Sequence, residues 1–234
     1  NQKCLDLLDS VNEKLVSQYT KELEEKQDAE TCYQLGWCYY QQKKFDEGIA
    51  LLDTLPASEE YDYINLRCRL YLANEQYEYA YPFAKKWLEL IEANEDDGSK
   101  ESVKRKNRLS LALFSLGICM MELDYKKAET EEEREQAYKT GVDYLEQSIE
   151  RETNFLVRLS YKEQLARFDL EAKQYEKCID VCDEIIAEDR GFFPAYVHRQ
   201  RANSELRNAK EVIDDYFACK ELYPAYVKPY ILAA

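Results

Sequence analysis

Cys32-Tyr-Gln-Leu-Gly36-Trp-Cys-Tyr-Tyr-Gln-Gln-Lys-Lys-Phe45-Asp-Glu-Gly48-Ile-Ala-Leu-Leu52, CYQLGWCYYQQKKFDEGIALL, plants a glycine in the middle of each of two apolar-periodic halves. A glycine inside a helix costs about 1 kcal/mol relative to alanine, so a missing side chain must serve something nearby. The reading that accounts for both glycines is a pair of helices joined by a short polar turn. They cross closely at Gly36 and Gly48, where a larger side chain has no room.

The pattern recurs along the chain. A small residue inside one helix is followed about 12 residues later by a small residue in the next, with an aromatic three positions before the second. Gly36 leads to Phe45 and Gly48; Cys68 to Tyr77 and Ala80; Ala166 to Tyr175 and Cys178. Gln200, Ala209 and Val212 echo this less fully, and Gly117 and Gly141, with Tyr138, complete the set. The step from Cys178 to Val212 is 34 residues and that from Gly48 to Ala80 is 32. A period of this size predicts an array of helical hairpins, each burying its apolar stripe against its neighbours.

The register resembles the tetratricopeptide repeat. The first unit supplies Leu35, Gly36, Tyr39, Phe45, Gly48 and Leu52, and the fifth supplies Tyr196, Tyr216 and Pro224. The resemblance covers residue 28 to the end and implies an all-α solenoid of about five hairpins. Leu5, Leu8, Val11, Leu15 and Tyr19 carry a helical period, so residues 1–27 are expected to form a helix covering the first face of the array. Within the array at 28–234, the Asn, Asp and Gly content around 92–101 predicts a loop insertion over 92–108. Gly117 and Gly141 stand at twice the usual interval, and Lys126 to Gln136 is almost wholly charged. An extended, solvated hairpin is therefore expected over 122–138. Tyr226 to Ala234 reads as the start of a truncated sixth unit, with more chain or a partner to follow.

Composition agrees with an all-α fold: 6 Gly and 5 Pro among 234 residues leave too few turn-formers for a β architecture. A formal charge of −15 argues against nucleic acid and against an anionic membrane surface, both of which need a dense basic face. The run Lys100, Lys104, Arg105, Lys106, Arg108 is the local exception and reads as a solvated helix start or linker. No stretch approaches the roughly 20 apolar residues of a membrane span. The longest, Leu109 to Met121, is broken by Ser110 and Ser115, and its apolar character nearly all round implies that both faces are covered.

The eight cysteines fall mainly on packing positions: Cys68 and Cys178 at small sites, Cys32, Cys182 and Cys219 on core faces. Such use implies free thiols in a reducing, cytoplasmic compartment. Cys178 and Cys182 lie one turn apart, but the lone His198 is a repeat away, no second Cys pair stands at ligand spacing, and zinc needs four ligands. No metal and no cofactor is expected. His198 is read as an outer-face residue, and without a base-nucleophile pair the chain is read as non-enzymatic.

The family resemblance further implies a concave groove lined by the first helix of each hairpin. On that register the groove residues are Tyr33, Trp37, Tyr40, Asn65, Arg69, Phe114, Arg167 and Arg201. Aromatic and arginine side chains of this kind carry binding energy at interfaces. The implied function is a scaffold that holds a peptide or protein segment. The alternative is a spacer or self-association module whose groove is filled by its own chain. The Lys/Asn/Arg clamp by which some members hold chaperone tails is not matched at Tyr33 and Trp37. A second resemblance is to the repeat region that follows a J domain in some bacterial co-chaperone-like proteins. It rests on Gly36-Trp-Cys-Tyr-Tyr40, Cys178-Ile-Asp-Val-Cys-Asp183 and Tyr226-Val-Lys-Pro-Tyr-Ile-Leu-Ala-Ala234. The His-Pro-Asp signature of a J domain is absent from these residues and would precede Asn1.

Overall fold

In the computed structural model, which describes residues 2–26, 28–58, 60–93 and 101–224, local chemistry sets the helix boundaries. Asp28 opens the second helix by accepting the Thr31 N–H at 2.9 Å, and that bond holds its carboxyl below the usual value. Thr130 and Glu133 form a reciprocal capping box at a later helix start, and Asn154 accepts the Val157 N–H at another. The α-helices are α1 (Gln2–Glu25), α2 (Ala29–Gln41), α3 (Phe45–Asp53), α4 (Tyr61–Ala73), α5 (Tyr77–Glu92) and α6 (Glu101–Met120), followed by α7 (Glu131–Arg151), α8 (Phe155–Glu171), α9 (Tyr175–Glu188), α10 (Phe193–Glu205) and α11 (Ala209–Leu222). No strand occurs among the described residues, and none of their helices is long and apolar enough to cross a membrane.

From α2 onward the helices pair as hairpins: α2/α3, α4/α5, α6/α7, α8/α9 and α10/α11. Each packs on the next, and α1 lies against α2. Four of the five hairpins turn by the same device. Lys43, Glu75, Lys173 and Arg207 sit at φ of 59°, 57°, 60° and 61°, each just past the end of a first helix. The following N–H reaches back five residues: Lys44 to Tyr39 O at 2.9 Å, Gln76 to Tyr71 O at 2.8 Å, Gln174 to Asp169 O at 2.8 Å, Asn208 to Asn203 O at 2.9 Å. This is a Schellman closure with a bulky residue where glycine is usual. The second helix then begins at once with Phe45, Tyr77, Tyr175 or Ala209.

The third hairpin departs from this. Its first helix continues as a π-helical turn, Met121–Tyr125, before the capped start of α7. Lys127 pairs with Glu78 of α5, and Arg167 of α8 donates to Glu122 at 3.0 Å, so the turn is fastened on both sides. The expected loop over 92–108 is corrected in its second half. Residues 101–108 are the first turns of α6; residues 94–100 lie outside those described, as do Tyr226 to Ala234.

Glycine packing also differs from the sequence expectation in part. A Cβ added at Gly36 would stand 2.8 Å from Leu66 Cδ2, and one at Gly48 2.7 Å from Leu70 Cδ2. Both leucines belong to α4, the first helix of the next hairpin; the partner helix within the hairpin is farther, with Leu52 at 3.9 Å from Gly36 and Tyr39 Cβ at 3.5 Å from Gly48. These two glycines are sockets for neighbouring leucines more than crossing points. Gly117 and Gly141 do face one another across their hairpin. A Cβ on Gly117 would lie 3.0 Å from Gly141 O and 2.8 Å from Leu145 Cγ.

Buried side chains fill these joints in successive clusters, with Leu66, Leu70, Cys68, Ala84 and Trp87 fully buried in the first half and Phe168, Cys178, Cys182 and Ile185 in the second. The seven cysteines whose side chains are described are free and buried. Two arginines at one register position lock successive hairpins. Arg67 bonds Asp53 of the preceding second helix at 2.6 Å, while Arg199 pairs with Asp183 there and with Asp215 of its own hairpin at 2.5 Å. Where α11 offers Asp215, α5 offers Phe83, and Arg67 instead stacks among Tyr63, Tyr71 and Phe83.

Candidate functional site

The residues assigned by register to the first helices do not all fare alike. Tyr33 is only 6% exposed, its ring edge-on to Tyr63 at 6.4 Å, so it packs α2 against α4. Asn65 is buried as well and accepts the Arg69 Nε–H at 2.9 Å. Trp37, Tyr40 and Arg69 remain half-buried. Trp37 meets Tyr40 edge-on at 5.7 Å, Tyr40 leans on Phe45 at 6.0 Å, and the Arg69 guanidinium lies over the Trp37 ring at 5.3 Å. Trp37, Tyr40, Asn65 and Arg69, from two successive first helices, form one cluster.

Phe114 of α6 stacks nearly parallel on Tyr161 of α8, with ring centroids 3.9 Å apart. Burial pushes the Tyr161 phenol up; Glu152 adds to this, Arg69 opposes it, and Tyr40 contributes. Groups of α2 and α4 thus act on the phenol of Tyr161 of α8. The register places Tyr161 one position off the face, beside Ser160, so counting along the helix misses it. An aromatic one step from a predicted lining position was the signal present. Arg69 acts likewise on the phenol of Tyr61, which burial raises and which Arg108 also lowers from 4.6 Å above the ring.

The other two predicted arginines behave differently. Arg167 is bound to Glu122 at 3.0 Å and Glu171 at 2.8 Å and covers Phe168 at 4.0 Å, which makes it a fastening of the third turn. Arg201 is exposed on α10, in the last hairpin. His198, expected on the outer face, is only 9% exposed: its Nε2 meets Glu163 Oε1 at 2.8 Å, linking α10 to α8. Glu163 supplies a polar partner to one ring nitrogen of the buried imidazole.

No protein-family model matches the chain, and no curated protein matches it. Solved structures do. The chain is similar to YrrB, described as a TPR protein with an unusual peptide-binding site, with a TM-score of 0.56 and 14% identity over 89% of this chain and 93% of that one. It is also similar to nearly identical TPR-like repeats of a putative kinesin light chain from Podosopora anserina, with a TM-score of 0.53 and 15% identity over 82% and 93% of the two chains. A second structure of those repeats, carrying one glutamine-to-methionine substitution, gives 0.51 and 14% over 82% and 94%. At these identities the likeness establishes the fold: an all-α solenoid of tandem tetratricopeptide-type hairpins.

Proposed function

We propose that the chain is a non-catalytic scaffold that binds a peptide or protein segment along its first-helix face. The observation that carries this reading is the half-exposed cluster of Trp37, Tyr40 and Arg69 on buried Asn65. Rigid aromatic surface and a guanidinium, held in place before a ligand arrives, bury area at low entropic cost. The description of YrrB as having a peptide-binding site adds support by analogy of fold. Recovery of partners by wild type and by the Trp37→Ala, Arg69→Ala double variant tests it. Loss of specific partners from the variant is expected; equal recovery of every partner removes the reading.

The finer reading is that this scaffold is the client or partner module of a bacterial, cytoplasmic co-chaperone-like protein. It rests on the sequence resemblance described above and on the seven buried free cysteines, which suit a reducing compartment. The reading frame upstream of Asn1 tests it: a J domain there would support this reading, and an unrelated domain would overturn it. A second reading draws on the Phe114–Tyr161 stack, which fills part of the face with the chain's own side chains. On that reading the array is a spacer or self-association module, and light scattering would show mass rising with concentration.

A further inference from the structure

Arg69 differs from the other arginines in what answers its charge. Arg67, Arg134, Arg151, Arg158, Arg167 and Arg199, the other arginines at least partly buried among the described residues, each have a carboxylate within ion-pair distance. Among the described residues none comes that close to Arg69. Its Nε–H is engaged by Asn65, its guanidinium carbon lies over Trp37 at 5.3 Å, and the Trp87 ring stands 6.0 Å away. Glu152, which shares the neighbourhood of Tyr161, is already held by the Ser110 hydroxyl at 3.2 Å and the Asn154 N–H at 2.8 Å.

With Nε committed, the two terminal amino groups of Arg69 form a planar fork. Its shape matches two parallel hydrogen bonds to one carboxylate. Asn65 holds the Nε edge and the Trp37 ring lies 5.3 Å from the guanidinium carbon, so part of the side chain's freedom is already lost before a peptide arrives. We propose that Arg69 is a carboxylate-reading subsite, taking an Asp or Glu side chain of an extended peptide whose neighbouring apolar residue rests on Trp37 and Tyr40. The assignment rests on the first-helix binding reading above. A side chain fits better than a peptide C-terminus, because Arg69 lies within the row of first helices: α2 continues the face on one side and α6 and α8 on the other.

The test uses an array of short synthetic peptides, N-acetylated and attached through the C-terminus so that no terminal carboxylate is offered. Wild type, Arg69→Gln, Arg69→Lys and Trp37→Ala are applied, each first shown by circular dichroism to keep its helicity. Peptides retained by wild type are then remade with Asn for Asp or Gln for Glu and titrated by fluorescence anisotropy. The expected result is a loss of about ten- to a hundredfold on amide replacement with wild type. That discrimination disappears in Arg69→Gln and is partial in Arg69→Lys, which keeps the charge without the fork. Acid and amide peptides binding wild type equally, or Arg69→Gln retaining the preference, overturns the subsite while leaving the groove reading intact if Trp37→Ala still weakens binding. If wild type retains no peptide, or Trp37→Ala binds every peptide as wild type does, the groove reading fails and the subsite with it.

Discussion

At Lys43, Glu75, Lys173 and Arg207 the backbone enters the left-handed region, where a Cβ costs about 1–2 kcal/mol. Replacing any of them by glycine is expected to raise the melting temperature by about 2–4 °C in a chain of this size, seen by circular dichroism. A fall would mean that their side chains hold the turns. Gly117 makes the opposite case. Alanine there meets the Gly141 carbonyl as well as Leu145, and a backbone oxygen gives way less than a leucine methyl, so Gly117→Ala should cost about 1–2 kcal/mol in urea unfolding. Gly36→Ala, opposed by the movable end of Leu66, should cost less. A third residue supplies a pH dependence. Asp169 of α8 is 2% exposed and accepts the Tyr138 O–H of α7 at 2.6 Å. Burial pushes its carboxyl up to about 6, with Tyr138 and Lys177 opposing and Glu146 adding. A raised folded value means that this group favours the fold below pH about 4 and withdraws that support as pH rises through about 6, on the order of 3 kcal/mol. Asp169→Asn should therefore gain on wild type between those pH values in parallel melts, and equal pH profiles would contradict this.

Between elements, the arginine at one repeat register shows how the same position locks two joints by different chemistry. Arg199 neutralises Asp215, a carboxylate whose side chain is 3% exposed, so Arg199→Leu leaves a buried charge and should cost about 3–5 kcal/mol. The Arg199→Leu, Asp215→Leu double variant should recover most of that loss in denaturant titration, because neither charge is then stranded. A double variant as unstable as the single would assign the loss to packing. At this scale much was legible and some was not. Hairpin number and helix start positions follow from small and aromatic residues recurring at a fixed period. The turns did not announce themselves, since none of the four left-handed residues is a glycine. Charge alone could not separate a loop from a helix at 101–108, because lysine and arginine suit a helix as readily as a polar loop.

For the array as a whole, each hairpin gains its stability from its neighbours, so those flanked on both sides should open last. Amide hydrogen exchange is expected to be slowest in α4 to α7, around the fully buried Trp87, Leu66 and Cys119, and fastest in α1 and α11, which have a helix on one side only among the described residues. Exchange as slow in α11 as in α6 would show a single cooperative unit instead. The exposed Ile213 and Phe217 of α11 agree with that gradient, being 53% and 59% accessible.

Periodicity by itself determined that this chain is all-α, that its helices come in stacked pairs, and which positions must stay small. It could do so because burying an apolar stripe at helical spacing constrains residue type locally. Only the tertiary structure decided which neighbour fills each small position, with α4 leucines entering Gly36 and Gly48. It alone buried His198 against Glu163, engaged Arg167 at a turn, and left Arg69 stacked on Trp37 with no carboxylate among the described residues at ion-pair distance. Those outcomes depend on how successive hairpins rotate against one another, and a side chain's partner across that rotation is set by geometry that no single helix encodes.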